Sequence, residues 1–190
     1  MIKIDKIHTI SNHLSFSRIL LTAPIFYFLQ NMEQSDFHRY FALFLMILAA
    51  ITDYLDGYFA RKYDHVTEFG KIIDPIADKI AVGVITLTLF LKGMIPLYIL
   101  IVVVARDVLI FLGGLIISNK IGRVLPSNLL GKITVFILGL YLVFLVIGLK
   151  SYPTLFNLYN ILIVFMSILS LIGYIIRSIE ALKFKKNELL

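Results

Sequence analysis

Four aspartates carry the chemistry of this chain: Asp53, Asp56, Asp74 and Asp78, set at the ends of two strongly apolar stretches. The run reads Asp53-Tyr-Leu-Asp56-Gly57-Tyr-Phe-Ala60-Arg61, then eight residues, then Gly70-Lys-Ile-Ile-Asp74-Pro-Ile-Ala-Asp78. An ionised side chain within a bilayer costs roughly 2.5–3.5 kcal/mol on insertion scales, so four together call for a compensating cation or a function. Spacings of three and four residues on a helix stack each pair of carboxylates on one face, a turn apart. Two such faces turned toward each other make a four-carboxylate cup. Hard divalent cations such as Mg²⁺ or Mn²⁺ prefer oxygen ligands and bridge phosphates, and they suit an all-carboxylate site. A two-metal centre is the resulting expectation. Gly57 and Ala60 keep one helix face thin enough for a flat ligand or a neighbouring helix. Arg61 adds a forked donor for phosphate, and Gly70 either relaxes the loop or lets a phosphate near the start of the next helix.

The elements that must position these residues follow from composition. Of the 190 residues 59% are hydrophobic and the mean hydropathy is +0.92, which is too apolar for a soluble core. The expected fold is all-α, a polytopic membrane protein forming a single domain over 1–190. Six apolar runs are long enough to cross about 30 Å of hydrocarbon, near 14–30, 38–58, 71–91, 95–117, 130–149 and 155–176. Residues 1–12 alternate isoleucine with charge, a pattern for an interfacial lead-in, and the same pattern suits a frayed terminus equally well. They lack the apolar centre of a signal peptide. Residues 177–190 form a basic tail. With no cysteine, any metal must be held by oxygen or imidazole.

Positive charge fixes the expected orientation. Lys3, Lys6, Arg18, Arg61, Lys62, Lys71, Lys120, Arg123, Lys132, Arg177, Lys183, Lys185 and Lys186 collect on one side, and Arg39, Lys92 and Lys150 alone mark the other. Both termini, and the mouth of the aspartate cup, are therefore expected on the cytoplasmic side. The net charge of +6 faces an anionic leaflet and forms no nucleic-acid stripe.

The run from Asp53 to Asp78 resembles the signature of the CDP-alcohol phosphatidyltransferases, D-x2-D-G-x2-A-R-x8-G-x3-D-x3-D, at every fixed position. Chance agreement at so many positions is on the order of one in a billion per starting point. The resemblance implies six spans with the motif across the second and third, a homodimer, and residence in the bacterial cytoplasmic membrane. It implies transfer of a phosphatidyl group from CDP-diacylglycerol to an alcohol with release of CMP. Carried over residue by residue, Asp53, Asp56 and Asp74 hold the metals, and Asp78 is the general base, also counted among the metal ligands. Gly57, Ala60, Arg61 and Gly70 adjoin the cytidine nucleotide.

Polar residues elsewhere in apolar runs are candidates for the acceptor pocket: Arg106, Lys132, Arg18 and Lys79. Arg106 has a structural alternative in pairing with Asp107 or with the aspartate cup, Ser15 in capping a helix, and Arg18 in anchoring at the interface. The segments FGKIIDPIADK, ARDV and Gly131-Lys132 resemble the branch of the family that uses glycerol 3-phosphate. Gly114 and Thr134 depart from it, since that branch often carries basic residues there. A less anionic acceptor is the alternative, phosphatidylglycerol among them, as in the CDP-dependent cardiolipin synthases. A divalent-cation transporter using the same cup is the remote alternative. Gly113-Gly114 suits either a contact between copies or packing within the chain.

Overall fold

The computed structural model describes the backbone of residues 10–62, 70–121 and 129–188, and the side chains of 15–55, 77–121 and 129–185. Among the described residues the structure is all-helical. Its helices are α1 (Ile10–Gln30), α2 (Asp36–Lys62), α3 (Gly70–Leu91), α4 (Leu97–Ile121), α5 (Leu129–Ile147) and α6 (Pro153–Glu188). These match the six apolar runs. Four have stretches long and apolar enough to cross a membrane: Asp36–Leu55, Leu97–Ile121, Leu129–Ile147 and Pro153–Lys185. Residues 1–9 of the expected interfacial segment lie outside the described residues. The basic tail is not a separate element, because α6 continues through it to Glu188. At about 1.5 Å per residue α6 is roughly 54 Å long, well beyond the hydrocarbon thickness.

Local chemistry sets the helix ends. Ser35 caps α2, its Oγ accepting from the His38 N–H at 3.4 Å, and Asp36 places a negative charge in the first turn. The end of α3 is a Schellman motif. Gly93 has φ 67°, its N–H donates to the Phe90 carbonyl at 2.8 Å, and the Met94 N–H donates to the Leu89 carbonyl at 2.9 Å. Gly148, at φ 123°, ends α5 and leads into a 3-10 turn at Leu149–Ser151.

The chain divides into two compact units, 1–94 and 95–190. In the first, α1 packs against both α2 and α3. Ile25, Leu29, Ala42, Ala77 and Leu89 are fully enclosed there. Phe28, Phe37 and Phe41 close the end where α1 turns into α2, with ring centroids 4.6 and 5.5 Å apart along the series Phe28–Phe41 and Phe41–Phe37. In the second unit α6 packs against α4 and α5, burying Ile99, Tyr141, Leu145 and Ile163.

Two glycines of α4 explain how α4 and α6 meet. A Cβ on Gly113 would sit 3.2 Å from the Tyr174 ring, and one on Gly114 would sit 3.2 Å from its hydroxyl. Gly113-Gly114 is therefore a packing face within the chain, occupied by Tyr174.

Candidate active site

Each helix of the first unit contributes one described charged residue to a common point. Arg18 of α1 bonds the Asp78 carboxylate of α3 through Nη1, while its Nη2 lies 3.3 Å from Asp53 Oδ1 of α2. Only 3% of the Arg18 side chain is exposed, against 56% for Asp53 and 45% for Asp78. The cation is thus walled in by protein while the two carboxylates are about half exposed. A buried guanidinium is tolerable in such a place only with anionic partners. Thr22 Oγ1 donates to the Arg18 carbonyl at 3.0 Å, so its hydroxyl is spent inside α1.

Arg18 is accordingly no interfacial anchor, since it points into the unit and not to a headgroup layer. Ser15 is no cap either, lying inside α1 and fully buried. Lys79 follows Asp78 on α3 and is exposed. Asp56, Gly57, Ala60 and Arg61 fall within α2, and Gly70 and Asp74 within α3, but their side chains lie outside the described residues. Among the described residues no group of three or more His, Cys, Asp or Glu gathers. Two aspartates of the expected four are described, and they meet at one cation.

The second unit holds the other polar constellation. Arg106 is buried in α4, where its Nη1 donates to Asp107 Oδ1 at 2.5 Å. Its Nη2 donates to Ser170 Oγ of α6 at 2.8 Å and to the Gly131 carbonyl of α5 at 3.3 Å. One guanidinium therefore ties three helices, at the residue beside Lys132, which is exposed on the first turn of α5. Thr134 adds a second tie, donating to the Leu130 carbonyl at 2.7 Å and reaching the Met166 carbonyl at 3.1 Å. A fork of five N–H groups can serve several acceptors at once, which lysine cannot. The pair with Asp107, one of the two structural alternatives for Arg106, is present.

Sequence reasoning missed Ser170. Its signal is faint: it is one of three serines of α6, at 167, 170 and 178, and all three are buried. It also missed the buried pair formed by the Tyr141 hydroxyl and Asn160 Oδ1, 2.7 Å apart, between α5 and α6.

In an all-helical chain with four stretches long and apolar enough to cross a membrane, carboxylates of α2 and α3 thus meet at a buried cation of α1. The chain belongs to the CDP-alcohol phosphatidyltransferase family, whose sequence profile matches residues 8–175. Among its relatives is a CDP-diacylglycerol–glycerol-3-phosphate 3-phosphatidyltransferase of Rickettsia prowazekii (strain Madrid E), 37% identical over 150 residues, covering 78% of this chain and 80% of the relative. The protein of that name from Aquifex aeolicus (strain VF5) is 33% identical over 135 residues, covering 70% and 72%. The one from Bacillus subtilis (strain 168) is 39% identical over a shorter stretch of 89 residues, covering 47% and 46%.

Proposed function

We propose that this protein transfers the phosphatidyl group of CDP-diacylglycerol to glycerol 3-phosphate, forming phosphatidylglycerophosphate and CMP. The observation that carries the reading is the meeting of Asp53 and Asp78 at Arg18, from the two helices that bear the intact family signature. The names of the relatives supply the acceptor.

In this reading the Asp78 carboxylate takes the proton from the acceptor hydroxyl as its oxygen attacks the phosphorus that bears the diacylglycerol. The new P–O bond replaces the pyrophosphate P–O bond, and the electron pair leaves with CMP. Arg18 holds the inner oxygen of Asp78, which turns the other oxygen outward to receive that proton. Gly57, Ala60, Arg61 and Gly70 border the nucleotide. Arg106 and Lys132, which flank the Gly131 carbonyl, serve the acceptor phosphate, with Lys79 beside the cup.

Carboxylate oxygens from different helices that can share one guanidinium also fit a hard divalent cation, and the chain has no thiol to prefer a softer one. Asp53, Asp56, Asp74 and Asp78 would hold Mg²⁺ or Mn²⁺. Such ions neutralise charge on the transferred and leaving phosphates. We further propose six spans, both termini and the site on the cytoplasmic side of the membrane, and a homodimer.

Gly114 and Thr134 have packing roles, under Tyr174 and across to Met166. Absence of basic residues there is therefore compatible with an unchanged acceptor. The test is CMP release by purified protein from CDP-diacylglycerol with Mg²⁺ or Mn²⁺, offering glycerol 3-phosphate, phosphatidylglycerol, serine and inositol phosphate in parallel. Release with glycerol 3-phosphate alone is expected. Release with phosphatidylglycerol alone would replace the acceptor, and release with none would overturn the reading.

A further inference from the structure

The hydroxyls of Thr22, Thr86, Thr88 and Thr134 each turn back to a carbonyl four residues earlier on their own helix. Ser170 of α6 does something else. Its Oγ accepts from Nη2 of Arg106, on α4, at 2.8 Å, and the residue is fully enclosed. The same Nη2 donates to the Gly131 carbonyl of α5 at 3.3 Å. Both acceptors are neutral, so they fix the direction of the guanidinium without cancelling its charge.

The other arm of the fork lies toward the open side. Nη1 donates to Asp107, whose side chain is 32% exposed, and Lys132, next to Gly131, is exposed as well. Nη1 carries two N–H groups, and among the described residues one hydrogen bond uses them. Two cations against one carboxylate leave a positive charge in excess. The other acidic residues of α4, α5 and α6 are Glu180 and Glu188, which follow Ser170 along α6 by about 15 Å or more. The cluster is short of one anion, and a phosphate ester supplies oxygens that suit a guanidinium fork.

We propose that Ser170 is a positioning residue for the anionic acceptor, holding Nη2 of Arg106 so that Nη1 and Lys132 meet the acceptor's phosphate together. The proposal rests on the reading above that Arg106 and Lys132 serve the phosphate of glycerol 3-phosphate. That phosphate is not the reacting group. Its contacts persist unchanged through the transfer, so weakening them raises KM for this acceptor and leaves kcat alone. Alanine at 170 removes the oxygen and leaves Nη2 to the longer Gly131 bond, whereas threonine keeps the oxygen.

The test is steady-state kinetics with CDP-diacylglycerol and glycerol 3-phosphate, beside thermal melts of the same preparations. Ser170→Ala is expected to raise KM for glycerol 3-phosphate about tenfold. Its kcat and its KM for CDP-diacylglycerol should stay within about twofold of wild type, with a melting temperature well above that of the assay. Ser170→Thr should recover the wild-type KM. Ser170→Cys, close in size to serine but a weak acceptor, should raise the same KM without loss of the fold. An unchanged KM in both Ser170→Ala and Ser170→Cys, or an equal rise for the two substrates, would overturn the assignment while wild-type turnover keeps the reaction intact. A fall in kcat shared by all three variants would make Ser170 a packing element and overturn it too. Wild-type turnover with a neutral acceptor and none with glycerol 3-phosphate would overturn the reading beneath the assignment, and the assignment with it.

Discussion

Replacing Arg18 by methionine should lower turnover about 30-fold without unfolding the protein. The side chain is buried, so its charge carries a desolvation penalty of several kcal/mol that methionine of similar volume does not. Against this stand the contacts with Asp78 and Asp53, worth about 1 kcal/mol each once the half-exposure of both carboxylates is allowed for. The two terms nearly cancel. A net change within about 1 kcal/mol corresponds to a shift of about 2–4 °C in melting temperature for a chain of this size. Activity behaves differently, because the carboxylates lose the cation between them. Two carboxylates reached by one guanidinium sit within about 8 Å, so at an effective dielectric near 20 their repulsion is about 2 kcal/mol. Spread over the positioning of Asp78, that is roughly a 30-fold loss in kcat. Arg18→Lys keeps the charge without the fork and should lose less, about three- to tenfold. CMP release and a thermal melt of the same preparations are the assays. A melting temperature more than about 10 °C lower with Arg18→Met would make Arg18 a structural element, and full turnover would refute its positioning of the carboxylates.

Other expectations follow from contacts in the second unit and from the proposed cations. Tyr141→Phe leaves Asn160 buried without its 2.7 Å partner and should lower stability by about 1–3 kcal/mol in a thermal melt, with CMP release unchanged. Gly114→Arg should lower the melting temperature by driving a side chain into Tyr174, and Tyr174→Ala should recover much of the loss in a double-mutant cycle. Removal of divalent cations with EDTA should abolish CMP release, and Mg²⁺ or Mn²⁺ should restore it. Activity that persists after exhaustive chelation would remove the metals from the proposal.

Much of the architecture was legible because burial in lipid writes itself into long apolar runs. Each of the six runs falls on a helix, and the breaks are marked by residues whose backbone chemistry is plain, such as Gly93 and Gly148. Aspartates of α2 and α3 were expected at one mouth from the order of the spans, and the two described ones, Asp53 and Asp78, meet at Arg18. Arg18 was harder. A lone arginine early in an apolar run looks the same whether it reaches for headgroups or turns inward, and only packing of α1 against both α2 and α3 decides the matter. Ser170 was barely legible: its partner Arg106 is distant in sequence, and serine is common in membrane helices as a small packing residue. The Gly113-Gly114 face was ambiguous for the same reason, because a gap does not say what fills it until Tyr174 is in place.

The most direct measurement is formation of phosphatidylglycerophosphate from CDP-diacylglycerol and glycerol 3-phosphate by wild-type protein and Asp78→Asn side by side. The asparagine keeps an oxygen to accept from Arg18 and so should preserve the fold, but it cannot take the acceptor's proton. Product from the wild type and a loss of at least about a hundredfold in Asp78→Asn at an unchanged melting temperature is the predicted result. Equal turnover by the two proteins would contradict the account.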